Sequence, residues 1–196
     1  MRKALSILLV LVCFMMGTSA FAADLDQGTV PQTVTGYLYD DDGNCVEVIG
    51  HLVEANSISM FSANDNLSAT YEFNLLASSF QSNPVSSPDS GYVSTVYLTV
   101  SYYVNSCSYL LSSVSGSWTI SDSNASVTSA SVNYVCTDSQ HPMQRGSRAV
   151  SNNFYVGTGF STYVSGTGLS VGASLTLSYR MGSSRTWSFT LPNYVA

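Results

Sequence analysis

The stretch V-Y-L-T-V-S-Y-Y-V, residues 96–104, decides the fold. Val96, Leu98, Val100, Tyr102 and Val104 alternate with Tyr97, Thr99, Ser101 and Tyr103. Successive side chains of a strand point to opposite faces, so this period separates an apolar face from a face of hydroxyls and tyrosine rings. A helix would instead need apolar residues three and four apart, and it disfavours so many β-branched side chains.

The same alternation recurs on both sides of that segment. Tyr71, Phe73 and Leu75 alternate with polar neighbours, as do Trp118 and Ile120, and then Ala130, Val132, Tyr134 and Cys136. Phe154 and Val156 begin another run, followed by Leu175, Leu177 and Tyr179, and by Trp187, Phe189 and Leu191. Turn-forming clusters separate them. Asp40 to Asn44 reads as a hairpin tip, and Ser121 to Asn124 and Met181 to Ser184 read the same way. Asn83 to Gly91 and Gln140 to Asn152 read as longer loops. Beyond the N-terminal segment no window carries helical spacing. The expected class is all-β: an antiparallel β-sandwich, immunoglobulin-like or a similar Greek-key arrangement, forming a single domain.

Val34-Thr35-Gly36, the strand that follows, the turn at Asp40–Gly43 and the return through Val46 and Val48 resemble the opening hairpin of carboxypeptidase-regulatory-like sandwich modules. The proline usual after that turn is missing. The resemblance implies a sandwich hairpin and carries no function.

The N-terminus sets the expected compartment. Basic Met1-Arg2-Lys3, an apolar run from Ala4 to Met16, and small residues Ala20 and Ala22 around Phe21 form the pattern of a cleavable signal peptide. The run is shorter than the roughly 18–20 apolar residues a helix needs to cross a bilayer. Residues 1–22 are therefore read as a signal peptide and 23–196 as the β-domain. The product is expected to be secreted, bacterial and held at a surface, if at all, non-covalently. No second apolar span and no C-terminal sorting signal are visible, so no transmembrane anchor is expected in the mature chain.

Charged residues are only 9% of the chain while 45% are hydrophobic, so the chain folds on apolar burial and uses serine and threonine for its polar faces. The charges are unevenly placed. Acids stand without a base from Asp24 to Asp89, whereas Arg145, Arg148, Arg180 and Arg185 follow the last acid, Asp138. Without Arg2 and Lys3, four bases remain against 12 acids, and the net charge falls from −6 to −8. Nucleic acid is excluded as a partner, because binding it needs many phosphate-neutralising bases. The asymmetry is read as two ends of the chain that meet in the fold, in preference to a basic face for an anionic polymer.

Three cysteines lie beyond the signal segment: Cys45, Cys107 and Cys136. Export favours disulfides. Cys107 and Cys136 are expected to pair, because they would be cross-strand neighbours at the open end of a hairpin turning at Ser121–Asn124. Facing Cα atoms there lie about 4.5–5.5 Å apart, which a disulfide can span. The alternative is three free thiols, with Cys45 the unpaired residue in either case.

No catalytic constellation emerges. Gly168-Leu169-Ser170-Val171-Gly172 fits the G-x-S-x-G pattern, but a nucleophile elbow needs a helix after the serine and a histidine later in the chain. A strand follows, and His51 and His141 both precede Ser170. Cys136 and His141 could form a thiol–imidazole pair if the fold joined them. Asp40, Asp42 and Asn44 begin like a calcium loop, yet Cys45 and His51 occupy the positions where that pattern needs glycine and glutamate. No zinc spacing or phosphate loop is present, so no cofactor is expected.

Thirteen tyrosines are the most unusual chemical feature. Tyrosine offers flat amphipathic contact at small entropic cost, which suits recognition of sugars and proteins. The expected function is therefore non-enzymatic binding of a surface glycan, a cell-wall polymer or a protein partner. A pore-forming or antibacterial β-protein and a secreted hydrolase with an unrecognised site are the alternatives.

Overall fold

The computed structural model describes residues 30–55, 65–76, 92–182 and 185–196. Residues 1–22, read above as a signal peptide, and the Asn83–Gly91 segment, read as a loop, lie outside the described residues. The described chain contains ten strands and no helix. They are β1 (Thr33–Asp40), β2 (Cys45–Ala55), β3 (Asp65–Leu76), β4 (Tyr92–Asn105) and β5 (Ser108–Ile120), then β6 (Ala125–Thr137), β7 (Arg145–Ala149), β8 (Phe154–Gly157), β9 (Ser170–Met181) and β10 (Arg185–Tyr194).

All ten hydrogen-bond into one antiparallel sheet, ordered β7-β6-β9-β10-β1-β2-β3-β4-β5-β8, which curls into a half-barrel. The expectation of two separately bonded sheets meets a different arrangement. β1 pairs with β2 on one edge and with β10 on the other, so the two halves are continuous through it. The Asp40–Asn44 tip closes the β1–β2 hairpin as expected. Asp40 accepts hydrogen bonds at Oδ1 from the backbone N–H of Asp42 (3.0 Å) and Asn44 (2.7 Å), and at Oδ2 from the Asn44 amide (2.7 Å).

The Ser121–Asn124 turn is real, but it does not make a hairpin. β5 pairs with β4 and β8, while β6 pairs with β9 and β7. Both edges of each strand are thus taken by other partners, and the turn carries the chain from one end of the sheet to the other. The Gln140–Asn152 segment, expected as a loop, contains the edge strand β7.

Alternation explains how the curled sheet fills its interior. The inward rows of β3 (Ala69, Tyr71, Phe73, Leu75) and β4 (Val96, Leu98, Val100) are buried, and so are those of β9 (Leu175, Leu177, Tyr179) and β10 (Trp187, Phe189, Leu191). Phe73 and Phe189 meet edge to face at 5.8 Å between centroids and 73°. Gly50 on β2 makes room for this pair, since a Cβ there would lie 2.4 Å from the Phe73 ring.

Two buried polar contacts tie facing parts of the sheet together. Ser94 on β4 and Tyr179 on β9 share a hydrogen bond of 2.9 Å. On β10, Asn193 continues the inward row and its amide donates to the carbonyl oxygens of Ala69 (3.0 Å) and Leu98 (2.8 Å). A buried amide is tolerated only when bonded in this way.

Candidate functional site

The outward rows of β3, β4 and β5 form a continuous polar surface. Thr70 and Thr99 face each other across the strands and their hydroxyls lie 3.0 Å apart. Thr95 donates to Asn74 at 2.8 Å, and Asn74 donates to Glu72 at 2.7 Å. Tyr97 stands opposite Glu72 and hydrogen-bonds to it, which raises the tyrosine's pKa above its usual value and holds the ring in place. Tyr97 and Tyr103, whose exposure the sequence left open, both lie on this outer face and are half-buried.

The edge strand β8 extends the surface. Phe154 and Val156 turn inward and are buried, so Tyr155 points out and is 72% exposed. An exposed tyrosine ring offers flat, amphipathic contact area. The support is rigid here. Asn152 accepts from the Trp118 N–H (2.8 Å) and donates to the Trp118 carbonyl (2.8 Å) just before β8. Thr158 donates to the Leu111 carbonyl (2.6 Å) just after it.

A second constellation sits where the 138–144 and 158–169 segments meet. Asp138 is buried, 7% exposed. Its Oδ1 accepts from the backbone N–H of His141 (2.6 Å) and Gln140 (2.8 Å), and its Oδ2 from Ser165 N–H (3.0 Å). The His141 ring approaches through Nδ1 at 3.0 Å. The Ser165 N–H and the His141 and Gln140 donors outweigh burial and hold the carboxyl near a pKa of about 2. Gln144 stitches the same segments, donating to the Cys136 and Thr162 carbonyls (2.9 Å each) and accepting from Thr162 N–H at 3.2 Å. This network fixes two loops against each other.

Cys136 and His141 take different partners. The Cys136 thiol accepts from Leu111 N–H at 3.3 Å and approaches the Tyr109 carbonyl at 3.6 Å, while His141 is held by Asp138. Burial pushes the Cys136 thiol up. Cys107 is exposed, whereas Cys136 is buried. The hairpin register on which the pairing of Cys107 with Cys136 was expected is not formed: Cys136 stands opposite Val171 on β9, and Cys107 sits in the β4–β5 turn with a positive φ of 68°. Ser170 opens β9 opposite Thr137, and a strand follows it, so the elbow geometry is not formed.

The first and last described strands do meet. β1 lies beside β10, and a cleft is lined by Asp40, Asp41, Asp42, Arg185, Thr186 and Trp187. Asp41 accepts from the Thr186 hydroxyl at 2.7 Å and from its N–H at 3.0 Å, which lowers its pKa. Among the described residues no group of three or more His, Cys, Asp or Glu converges as a metal site. Tyr155 was legible as an outward residue from the Phe154–Val156 alternation, whereas the Asp138 junction left no sequence signal because it is built mostly from backbone N–H groups. No family model, characterised protein or solved structure matches the chain.

Proposed function

We propose that this chain is an exported, non-catalytic binding protein that engages a glycan, a wall polymer or a protein partner at a cell surface. In this reading the two facing halves of the curled sheet act as the layers of a sandwich joined through β1. The observation that carries the proposal is the outer face of β3, β4, β5 and β8. There, paired hydroxyls and amides stand beside Tyr155, a ring left 72% exposed on a strand pinned at both ends. Polar groups fixed by a scaffold, next to aromatic rings, suit recognition without any reacting group.

Co-sedimentation of the full chain with purified cell walls, insoluble polysaccharides and whole cells tests this. Saturable pelleting with one of them is expected. Absence of pelleting across the set, or a hydrolytic activity abolished by His51→Ala or His141→Ala, would refute it.

A further inference from the structure

The outer rows fall into register across four strands. Thr70 faces Thr99, Thr99 faces Ser115, and Ser115 faces Tyr155. One row along, Glu72 faces Tyr97 and Tyr97 faces Ser117. The small side chains of Ser115 and Ser117 on β5 therefore lie between a tyrosine on β4 and a tyrosine on β8. Those tyrosines are two strand spacings apart across the sheet and two residues apart along it, about 12 Å between backbone positions.

Gly116 draws this trough together. A Cβ at Gly116 would lie 2.8 Å from the Phe154 ring, so the glycine lets that ring pack inward and seats β8 against β5. Tyr155, the next residue, is thereby turned outward at the position opposite Ser115. The Asn152 and Thr158 bonds on either side of β8 keep it there.

Charge selects among ligands. Strands β2, β3, β4, β5 and β8 contain no lysine and no arginine, and the outer face carries Glu72. An anionic polymer would meet a carboxylate and no counter-charge. Hydroxyls and amides both donate and accept, which matches a hydroxylated, uncharged partner. The rows advance by one strand spacing, about 4.8 Å, close to the advance per residue of an extended hexose chain, and the aromatic rings at the two ends of that path can stack on the apolar faces of sugar rings.

Resting on the surface-binding reading above, we infer that the trough floored by Thr99, Ser115 and Ser117, with Tyr97 at one end and Tyr155 at the other, is a subsite for an uncharged hexose polymer. The hexose chain runs across the strands from one ring to the other, one hydroxyl contact per strand. Tyr155 supplies a stacking face, and Tyr97, steadied by Glu72, supplies the second.

The test compares pelleting of the full chain and of Tyr155→Ala, Tyr97→Ala and Ser117→Arg with insoluble neutral glucans, and with teichoic-acid-bearing walls as the anionic case. Retained thermal unfolding shows that each variant is folded, and Tyr155 is exposed enough for its loss to leave the core intact. Saturable binding to a neutral glucan, weakened at least tenfold by Tyr155→Ala and by Ser117→Arg, is expected. Binding to a neutral glucan that all three variants retain overturns the site while leaving surface binding in place. Binding confined to the anionic walls overturns the ligand class. Binding to none of these or to any other surface overturns both readings.

Discussion

Replacing Asn193 by alanine probes the contact that holds the curled sheet closed. Its amide donates to Ala69 and Leu98 carbonyls on β3 and β4, and the side chain is fully buried. Each bond contributes about 1 kcal/mol net, so losing both costs about 2 kcal/mol. Two smaller terms oppose each other. The truncated side chain leaves a small void, which costs about 1 kcal/mol at roughly 24 cal/mol per Å³. Asn193 Oδ1 has no hydrogen-bond partner among the described residues, and removing it recovers about 1 kcal/mol. The expected loss is therefore about 2 kcal/mol, read by urea denaturation, or about 4–8 °C in Tm for a domain of this size. Asn193→Asp has the same shape but presents a carboxylate to two carbonyl oxygens. It is expected to be the more damaging change at neutral pH and to recover in acid, where a protonated carboxyl can donate again. Unchanged or increased stability in Asn193→Ala, or an Asn193→Asp variant no worse than alanine at pH 7, would refute the account of the clamp.

Other outcomes follow from the loop junction and the thiols. Asp138 has a carboxyl pKa depressed to about 2, below the unfolded value of about 4. Its contribution is therefore complete above about pH 4 and is lost as the pH falls toward 2. Limited proteolysis at residues 139–144 and 158–169 should stay slow at pH 4 in the parent chain and become fast at pH 7 in Asp138→Asn. Equal resistance in that variant would contradict the junction. In the native, unreduced protein, Cys45 and Cys107 are exposed and should react with a thiol reagent, while buried Cys136 should react only in denaturant. A Cys136 that stays unreactive after unfolding without reductant would point to a disulfide and against its burial as a thiol.

Strand identity was legible where side chains alternate cleanly. The Val96–Val104 pattern places each residue on the face it occupies through Tyr102, and the Asp40–Asn44 tip announces its hairpin. Partner choice was not legible. Alternation tells which residues of β5 and β6 face inward, but nothing in Ser121–Asn124 says that each strand already has two other neighbours. β7 was missed because Arg-Gly-Ser-Arg-Ala has no apolar row, and an edge strand held by backbone bonds needs none. Asn193 was overlooked although a signal existed, since the Trp187, Phe189, Leu191 row continues by two to an asparagine. Within the proposed binding face, the registers of Tyr97 with Ser117 and of Ser115 with Tyr155 join strands distant in sequence. One sequence could show that hydroxyls and tyrosines share outward rows, not which of them stand opposite one another.

Hydroxyl-radical footprinting in the presence of the pelleted polymer tests the central claim most directly. Tyr155 and Met143 are both strongly exposed, at 72% and 81%, and they lie on different elements, β8 and the β6–β7 segment. Polymer binding is expected to protect Tyr155 and Tyr97 while Met143 keeps its rate of oxidation. Protection of Met143 with Tyr155 unchanged would contradict the assignment of the β4–β5–β8 outer face as the binding surface.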